Sequence, residues 1–138
     1  MKYFILFTSL LFSFGLAAEE YISIALDKNI YKTNDSFIAQ LTGLNVSPVS
    51  YIGLSIETRK NDTWVTVRAD TSCPCMAKCK KRATEIIKGQ IIVEHWDFKD
   101  TTCNLVTSGS YRAVITGNYI TDLGRNQILG TSHEFQVK

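Results

Sequence analysis

Short runs of alternating apolar and polar residues constrain this chain more than any other feature of its sequence. Apolar side chains recur at every second position in three runs, 22–26, 37–42 and 52–56. Successive side chains of a strand lie on opposite faces of a sheet, so this period is typical of strands with one buried face. Similar spacing predicts four more strands, at 64–68, 90–96, 111–116 and 134–138. We therefore expect about seven strands.

Turn signals separate these runs, and no long helix is predicted between them. They are Asn34-Asp35, Ser47-Pro48, Asn61-Asp62, Ser108-Gly109 and Leu123-Gly124. The stretch 76–87 has helical length, but between Cys79 and Ile86 it carries one apolar residue, Ala83, so we expect a loop with room for one helical turn. Two half-polar sheets can bury their apolar faces only against each other, which predicts an all-β antiparallel β-sandwich; a small barrel is the alternative.

The N-terminus has the composition of an export signal. Lys2 precedes a mainly apolar stretch at 3–14, and small residues at 15–18 lead into Glu19 and Glu20. We predict a cleaved secretory signal peptide at residues 1–18 and one domain at 19–138. The apolar stretch is too short to span about 30 Å of hydrocarbon, so no membrane span is expected and the mature domain is predicted to be secreted or periplasmic.

The charge balance argues against two classes of partner. Fifteen Lys and Arg residues against thirteen Asp and Glu give a formal net charge of +2. Such a weak positive field does not favour binding of nucleic acid or of an anionic membrane. With 45% hydrophobic residues, the chain also lacks the composition of a disordered protein.

The four cysteines, Cys73, Cys75, Cys79 and Cys103, all follow the predicted signal peptide. An even number of cysteines in an exported domain predicts two disulfides. A Cys73–Cys75 bridge would close a very small ring across Pro74. Two pairings remain open: Cys73–Cys79 with Cys75–Cys103, or Cys75–Cys79 with Cys73–Cys103. Both attach the cysteine-rich loop to the segment around Cys103.

The same loop allows two other interpretations. Thiolates beside the Met76 thioether suit copper(I) or zinc, although the spacing is not that of a zinc ribbon and we expect no metal or other cofactor. A basic cluster also lies here, and its charges would favour a reactive thiolate if a cysteine were free. The cluster comprises Lys78, Lys80, Lys81 and Arg82.

Several motifs in the second half resemble the ending of bacterial immunoglobulin-like domains. They are Trp96-Asp97, the turn and strand at 105–112 with Gly109-Ser110-Tyr111-Arg112, and a last strand of Glu134-Phe135-Gln136-Val137. The segment 45–48, followed by 51–60 and Trp64, is similar to an earlier turn and hairpin of that family. The same ending also resembles the intracellular proteinase inhibitor family. The resemblance implies an immunoglobulin-like β-sandwich, although the cysteine-rich insertion at 70–82 departs from it.

Few residues suggest catalysis. The two histidines, His95 and His133, fall in predicted strands without a nucleophile and an acid placed beside them, so we expect a protein that is not an enzyme. Tyr111 is predicted to stabilise the corner after Gly109, and the two tryptophans, Trp64 and Trp96, to lie in or near the core. Four acidic residues lack calcium-loop spacing and are expected to be solvated; they are Asp70, Glu94, Asp97 and Asp100.

These observations lead to one expected function and two alternatives. The first is an exported binding or structural module that meets an unknown protein partner through loops at one end of the sandwich. The basic cluster is its most distinctive exposed chemistry. The alternatives are a proteinase inhibitor acting through a rigid loop and a soft-metal binding protein. Sequons at Asn34, Asn45 and Asn61 would be glycosylation sites only in a eukaryotic source.

Overall fold

The computed structural model of the chain describes residues 20–75, 77–80, 83–119 and 127–138, without the side chains of Asn118 and Tyr119. The predicted signal peptide at 1–18 lies outside the described residues, as do Met76, Lys81, Arg82 and the segment 120–126. Within the described part the strands are β1 Ile22–Leu26, β2 Ile30–Tyr31, β3 Phe37–Gly43, β4 Val49–Lys60, β5 Thr63–Arg68, β6 Thr84–Ile86, β7 Ile91–Trp96, β8 Gly109–Tyr119, β9 Gln127–Thr131 and β10 Phe135–Val137.

The strands form two sheets, which confirms the all-β prediction. The smaller sheet has the order β1-β3-β7, and the larger one the order β2-β10-β8-β4-β5, with β6 also paired to β4 and β9 to β8. All pairs are antiparallel except β2 with β10. No helix occurs in the residues that the structure describes, so the helical turn allowed within 76–87 is not seen there.

The core lies between the two sheets and is rich in aromatic rings. Phe37 in the smaller sheet meets Phe135 in the larger sheet with ring centroids 5.3 Å apart, and it meets Trp96 edge-on at 5.6 Å. Tyr31 contacts both Phe37 and Phe135, at 5.0 and 5.4 Å. Offset and edge-to-face ring pairs add to the energy of apolar burial. This cluster packs the two sheets against each other, and it includes Trp96, the last residue before the loop that carries Cys103.

Two predicted strands have a different inward face from the one expected. In β4 the pairing with β8 shifts between Tyr51 and Leu54. Tyr51 is therefore buried and Ile52 is 37% exposed, although the sequence placed Ile52 on the face of Leu54. In β5, Val65 is exposed and the strand's last residue, Arg68, is buried.

Three strands were missed, whereas the predicted turn of the β4–β5 hairpin was placed correctly. β2, β6 and β9 have two, three and five residues, and β9 contains Gly130, so none shows an alternation long enough to detect. The β4–β5 hairpin turns at Asn61 and Asp62, as predicted. Both residues have positive φ angles, 50° and 62°, which Asn and Asp tolerate better than most residues.

Candidate functional site

One disulfide joins the loop after β5 to the loop after β7, and a second closes a ring within the loop after β5. Cys73 pairs with Cys79, their Cα atoms 5.8 Å apart, and Cys75 pairs with Cys103, their Cα atoms 5.5 Å apart. This is one of the two pairings that the sequence left open, and the other is not formed. The prediction that the cysteine-rich loop is attached to the segment around Cys103 is confirmed. We call this region, residues 69–80 with 97–105, the disulfide-tied end.

A buried arginine at the end of β5 holds the two loops together. The Arg68 side chain is only 6% exposed. Its guanidinium donates to the carbonyl oxygen of Cys73 at 2.7 Å in one loop and to that of Lys99 at 3.1 Å in the other. It also donates to the Asp70 carbonyl at 3.2 Å and the Asp97 carboxylate at 3.3 Å. Arg68 is thus a fixed connection between the loops.

Asp100 shapes the loop that carries Cys103. Its carboxylate accepts hydrogen bonds from the backbone nitrogens of Thr102 and Asn104, at 2.9 and 3.1 Å, and from the Thr102 hydroxyl at 2.7 Å. These bonds, first of all the one from the Thr102 side chain, lower the pKa of Asp100. Within this turn Cys103 has a φ of 72°, a conformation uncommon outside glycine. The loop is therefore held in a defined turn around its cysteine.

A depression of about 380 Å³ lies against the two bridges. Its walls combine apolar surface with the edge of the buried arginine. The lining includes Arg68, Cys73, Pro74, Cys75, Ala77 and Thr101. Because bonded sulfur atoms and Pro74 limit movement of the wall, the depression is pre-formed, as binding sites commonly are.

The predicted basic cluster is only partly covered by the structure. Lys78 and Lys80 are exposed, on either side of the exposed Cys79. Lys81 and Arg82 lie outside the described residues. The described half of the cluster is therefore two exposed lysines that flank Cys79 in the sequence.

The acidic residues predicted to be solvated each have a structural partner, and Asp97 is exposed as expected. Asp70 accepts from the backbone nitrogen and hydroxyl of Ser72, at 2.9 and 2.6 Å, and Asp97 pairs with Arg68. Glu94 is half-buried and accepts a hydrogen bond from the Tyr51 hydroxyl at 3.3 Å. Burial raises the pKa of Glu94, and the charge of Asp70 raises it further. Among the described residues, no group of three potential ligands is placed to hold a metal ion.

The histidines do not belong to this site. His95 is exposed on β7 as expected, whereas His133 lies between β9 and β10, so its placement in a strand was wrong. The buried Ser132 directly follows the end of β9. Its hydroxyl accepts a hydrogen bond from the Ala113 backbone nitrogen at 2.9 Å and donates one to the His133 carbonyl at 2.8 Å. The hydroxyl thus replaces a backbone carbonyl as the acceptor for Ala113, while the Ser132 backbone nitrogen still donates to the Ala113 carbonyl at 2.8 Å.

The predicted aromatic residues have mainly structural roles. Tyr111 is buried and donates from its hydroxyl to the Thr107 carbonyl at 2.6 Å, so the predicted corner is confirmed. Trp96 is in the core and donates from its indole nitrogen to the Lys99 carbonyl at 3.0 Å. Trp64 is half-buried on the outer face of the larger sheet, where the Arg112 guanidinium stacks 4.4 Å from its ring.

Comparison with known proteins does not assign the chain to a family. No protein-family model matches the chain, and no curated protein sequence matches it. Among solved structures, the chain is similar to the Pseudomonas fluorescens alkylpurine DNA glycosylase AlkC bound to DNA containing an abasic site analog, with a TM-score of 0.43 and 12% sequence identity. That match covers 88% of this chain and 31% of the glycosylase. In the described residues, no helix is both long and apolar enough to cross a membrane.

Proposed function

We propose that this protein is an exported, non-enzymatic binding module of immunoglobulin-like fold that contacts a protein partner through the disulfide-tied end. The observation that carries the proposal is the Arg68 connection, which links two loops already joined by a disulfide. A loop fixed before binding loses little conformational entropy when a partner docks, so such a construction favours recognition.

The immunoglobulin-like part of the proposal is supported by a local bond. In that fold a tyrosine at the start of a late strand donates from its hydroxyl to the backbone a few residues earlier. Tyr111 in β8 does so with Thr107, four residues upstream. The two-sheet arrangement and the buried Trp96 agree with such a sandwich. The cysteines at the disulfide-tied end lie in loops, unlike the inter-sheet pair of antibody domains.

Export is supported by the cysteines together with the N-terminal sequence. Both bridges need an oxidising compartment to persist. The stretch 1–18 has the composition of a cleaved signal peptide. We therefore propose that the mature domain works in the periplasm or outside the cell.

The partner surface should be acidic. Lys78 and Lys80 are exposed and adjoin Cys79, which lines the depression, and Lys81 and Arg82 follow directly in the sequence. Opposite charges on a partner would guide its approach and fix its orientation. Because exposed charges are screened by salt, the interaction should weaken as ionic strength rises.

The experiment is quantitative binding of proteins from the producing cell's exported fraction to the immobilised domain. We compare the wild type with Lys78→Glu/Lys80→Glu and with a control, Lys32→Glu/Lys88→Glu, which makes the same charge change at exposed lysines that are not part of this end. We expect the first pair to weaken binding of a partner about tenfold or more and the control to leave it unchanged. Equal loss in both variants, or in neither, contradicts the proposed surface.

A rigid exposed loop also suits a proteinase inhibitor, the alternative function that the same observation supports. An inhibitor would block a purified protease at a fixed stoichiometry, and opening the bridges with a reductant would abolish the block. The soft-metal alternative requires the same four sulfur atoms as free thiolates, so it and the two bridges exclude each other. A thiol count on the native protein separates these two functions.

A further inference from the structure

The two bridges at the disulfide-tied end differ in how a reactant can reach them. Cys79 is exposed, whereas Cys75 and Cys103 are half-buried. The Cys103 loop is also fixed by Thr101, which donates from its backbone nitrogen and its hydroxyl to the Val67 carbonyl, at 2.9 and 3.0 Å. An incoming thiolate must reach a sulfur atom in line with the bridge, so access favours attack at Cys79.

Opening the exposed bridge would leave the rest of this end in place. Cys75 would remain bonded to Cys103, and Arg68 would still donate to the Cys73 carbonyl. The Cys73–Cys79 bridge closes a sequence separation of only six residues. Its loss therefore releases only a short ring without separating the two longer segments.

The charges around this bridge favour its opening. Lys78 and Lys80 flank Cys79, and the Arg68 guanidinium lies 2.7 Å from the carbonyl oxygen of Cys73. Cations close to a cysteine stabilise its thiolate, so the lysines favour the step in which Cys79 is released from a mixed disulfide. The half-buried bridge contributes to the wall of the same depression, but no lysine adjoins Cys75 or Cys103 in the sequence.

From these three observations we propose that Cys73–Cys79 is a thiol–disulfide exchange site, which oxidises a dithiol on a partner protein seated in the adjoining depression. One partner thiolate attacks the Cys79 sulfur, a mixed disulfide forms, and Cys73 leaves as a thiolate. The second partner thiol, deprotonated, then attacks the partner's own sulfur in the mixed disulfide and releases Cys79. The partner gains a disulfide and loses two electrons, while Cys73 and Cys79 gain those electrons and the two protons.

The depression gives this activity a substrate class. At about 380 Å³ and largely apolar, it accommodates a few side chains of an extended peptide but not a folded domain. The substrate is thus a flexible, cysteine-containing segment. This activity goes beyond the charge-guided binding proposed above, because it requires the sulfur atoms themselves; it is stoichiometric, since each oxidised dithiol leaves Cys73 and Cys79 reduced.

The experiment mixes the oxidised full domain with a reduced synthetic peptide that carries two cysteines separated by two residues. Timed alkylation and mass spectrometry then follow each cysteine. We expect Cys73 and Cys79 to become alkylated about tenfold faster than Cys75 and Cys103, while the near-ultraviolet circular dichroism stays native. A monothiol probe, reduced glutathione, should form its adduct on Cys79.

Two variants test the chemistry. Cys73→Ala/Cys79→Ala should slow oxidation of the peptide by about tenfold, because only the slower Cys75–Cys103 bridge remains. Lys78→Gln/Lys80→Gln should slow it by about threefold, and the matched control Lys32→Gln/Lys88→Gln should not. The proposal is overturned if both bridges open at the same rate, if Cys75–Cys103 opens first, if the adduct forms on Cys73, or if the lysine variant reacts like the control.

Discussion

Arg68 holds the candidate site together, although no residue near it in the sequence indicates this role. Three of its four hydrogen-bond acceptors are backbone carbonyls, of Asp70, Cys73 and Lys99. Backbone carbonyls exist at every residue, so no residue type in the sequence marks these partners. A basic residue at the end of a predicted strand is usually exposed, and only the meeting of two distant loops buries this one.

Replacing Arg68 tests its role in holding the loops. We expect Arg68→Met to lower the free energy of unfolding by about 1–3 kcal/mol, because buried carbonyl oxygens lose their donors. The control Lys32→Met, at an exposed lysine, should change it by less than about 0.5 kcal/mol. Urea unfolding measures both values, and equal effects would contradict the role of Arg68.

Glu94 provides a pH-dependent prediction. Burial raises its pKa above the usual 4.5. A carboxyl with a raised pKa in the folded state adds stability below the unfolded pKa, and this contribution is lost as pH rises through the folded value. Glu94→Gln should therefore unfold at higher urea concentration than the wild type at pH 7, with the difference disappearing near pH 4. The exposed control Glu85→Gln should show no such pH-dependent difference from the wild type.

At the scale of elements, the sequence predicted strands wherever the alternation was regular. β1 and β3 bury the expected residues, including Ile22, Ile24, Phe37 and Leu41. The sequence wrongly placed Ile52 on the buried face of β4. The pairing of β4 with β8 shifts near this residue, and such a shift depends on both strands, so the sequence of one strand does not reveal it. β2 and β6 were missed because a strand of two or three residues has no measurable period.

The two bridges should differ in their effect on stability. In the chain-entropy model, a bridge over a sequence separation of 28 constrains the unfolded chain more than one over six. We expect Cys75→Ser/Cys103→Ser to lower the free energy of unfolding by about 2–5 kcal/mol, and Cys73→Ser/Cys79→Ser by about 2 kcal/mol. Paired substitutions leave no free thiol that could exchange, so urea unfolding compares the bridges directly. A larger loss in the second variant would contradict this account.

At the scale of the whole molecule, the candidate site could be predicted in part. The cysteines and Lys78 and Lys80 stood out because their residue types imply chemistry wherever they lie. The depression and the Asp100 turn did not, since both depend on how the loop after β7 folds back against β5. Sheet order was also beyond the sequence, because the parallel contact of β2 with β10 joins the two ends of the domain.

The absence of helix from the described residues can be checked on the purified mature domain. We expect its far-ultraviolet circular dichroism to show strand and turn signals without a substantial helical component. A spectrum dominated by helix would contradict both the two-sheet architecture and the proposed immunoglobulin-like fold.

The central claim, an exported domain with a disulfide-tied end, is tested most directly by mass spectrometry of the protein recovered from the cell that makes it. We predict a mature chain beginning near Ala18 or Glu19, lighter by the hydrogens of its four thiols. Non-reducing peptide mapping should link Cys73 to Cys79 and Cys75 to Cys103. An intact N-terminus with four free thiols and bound copper or zinc would contradict the account.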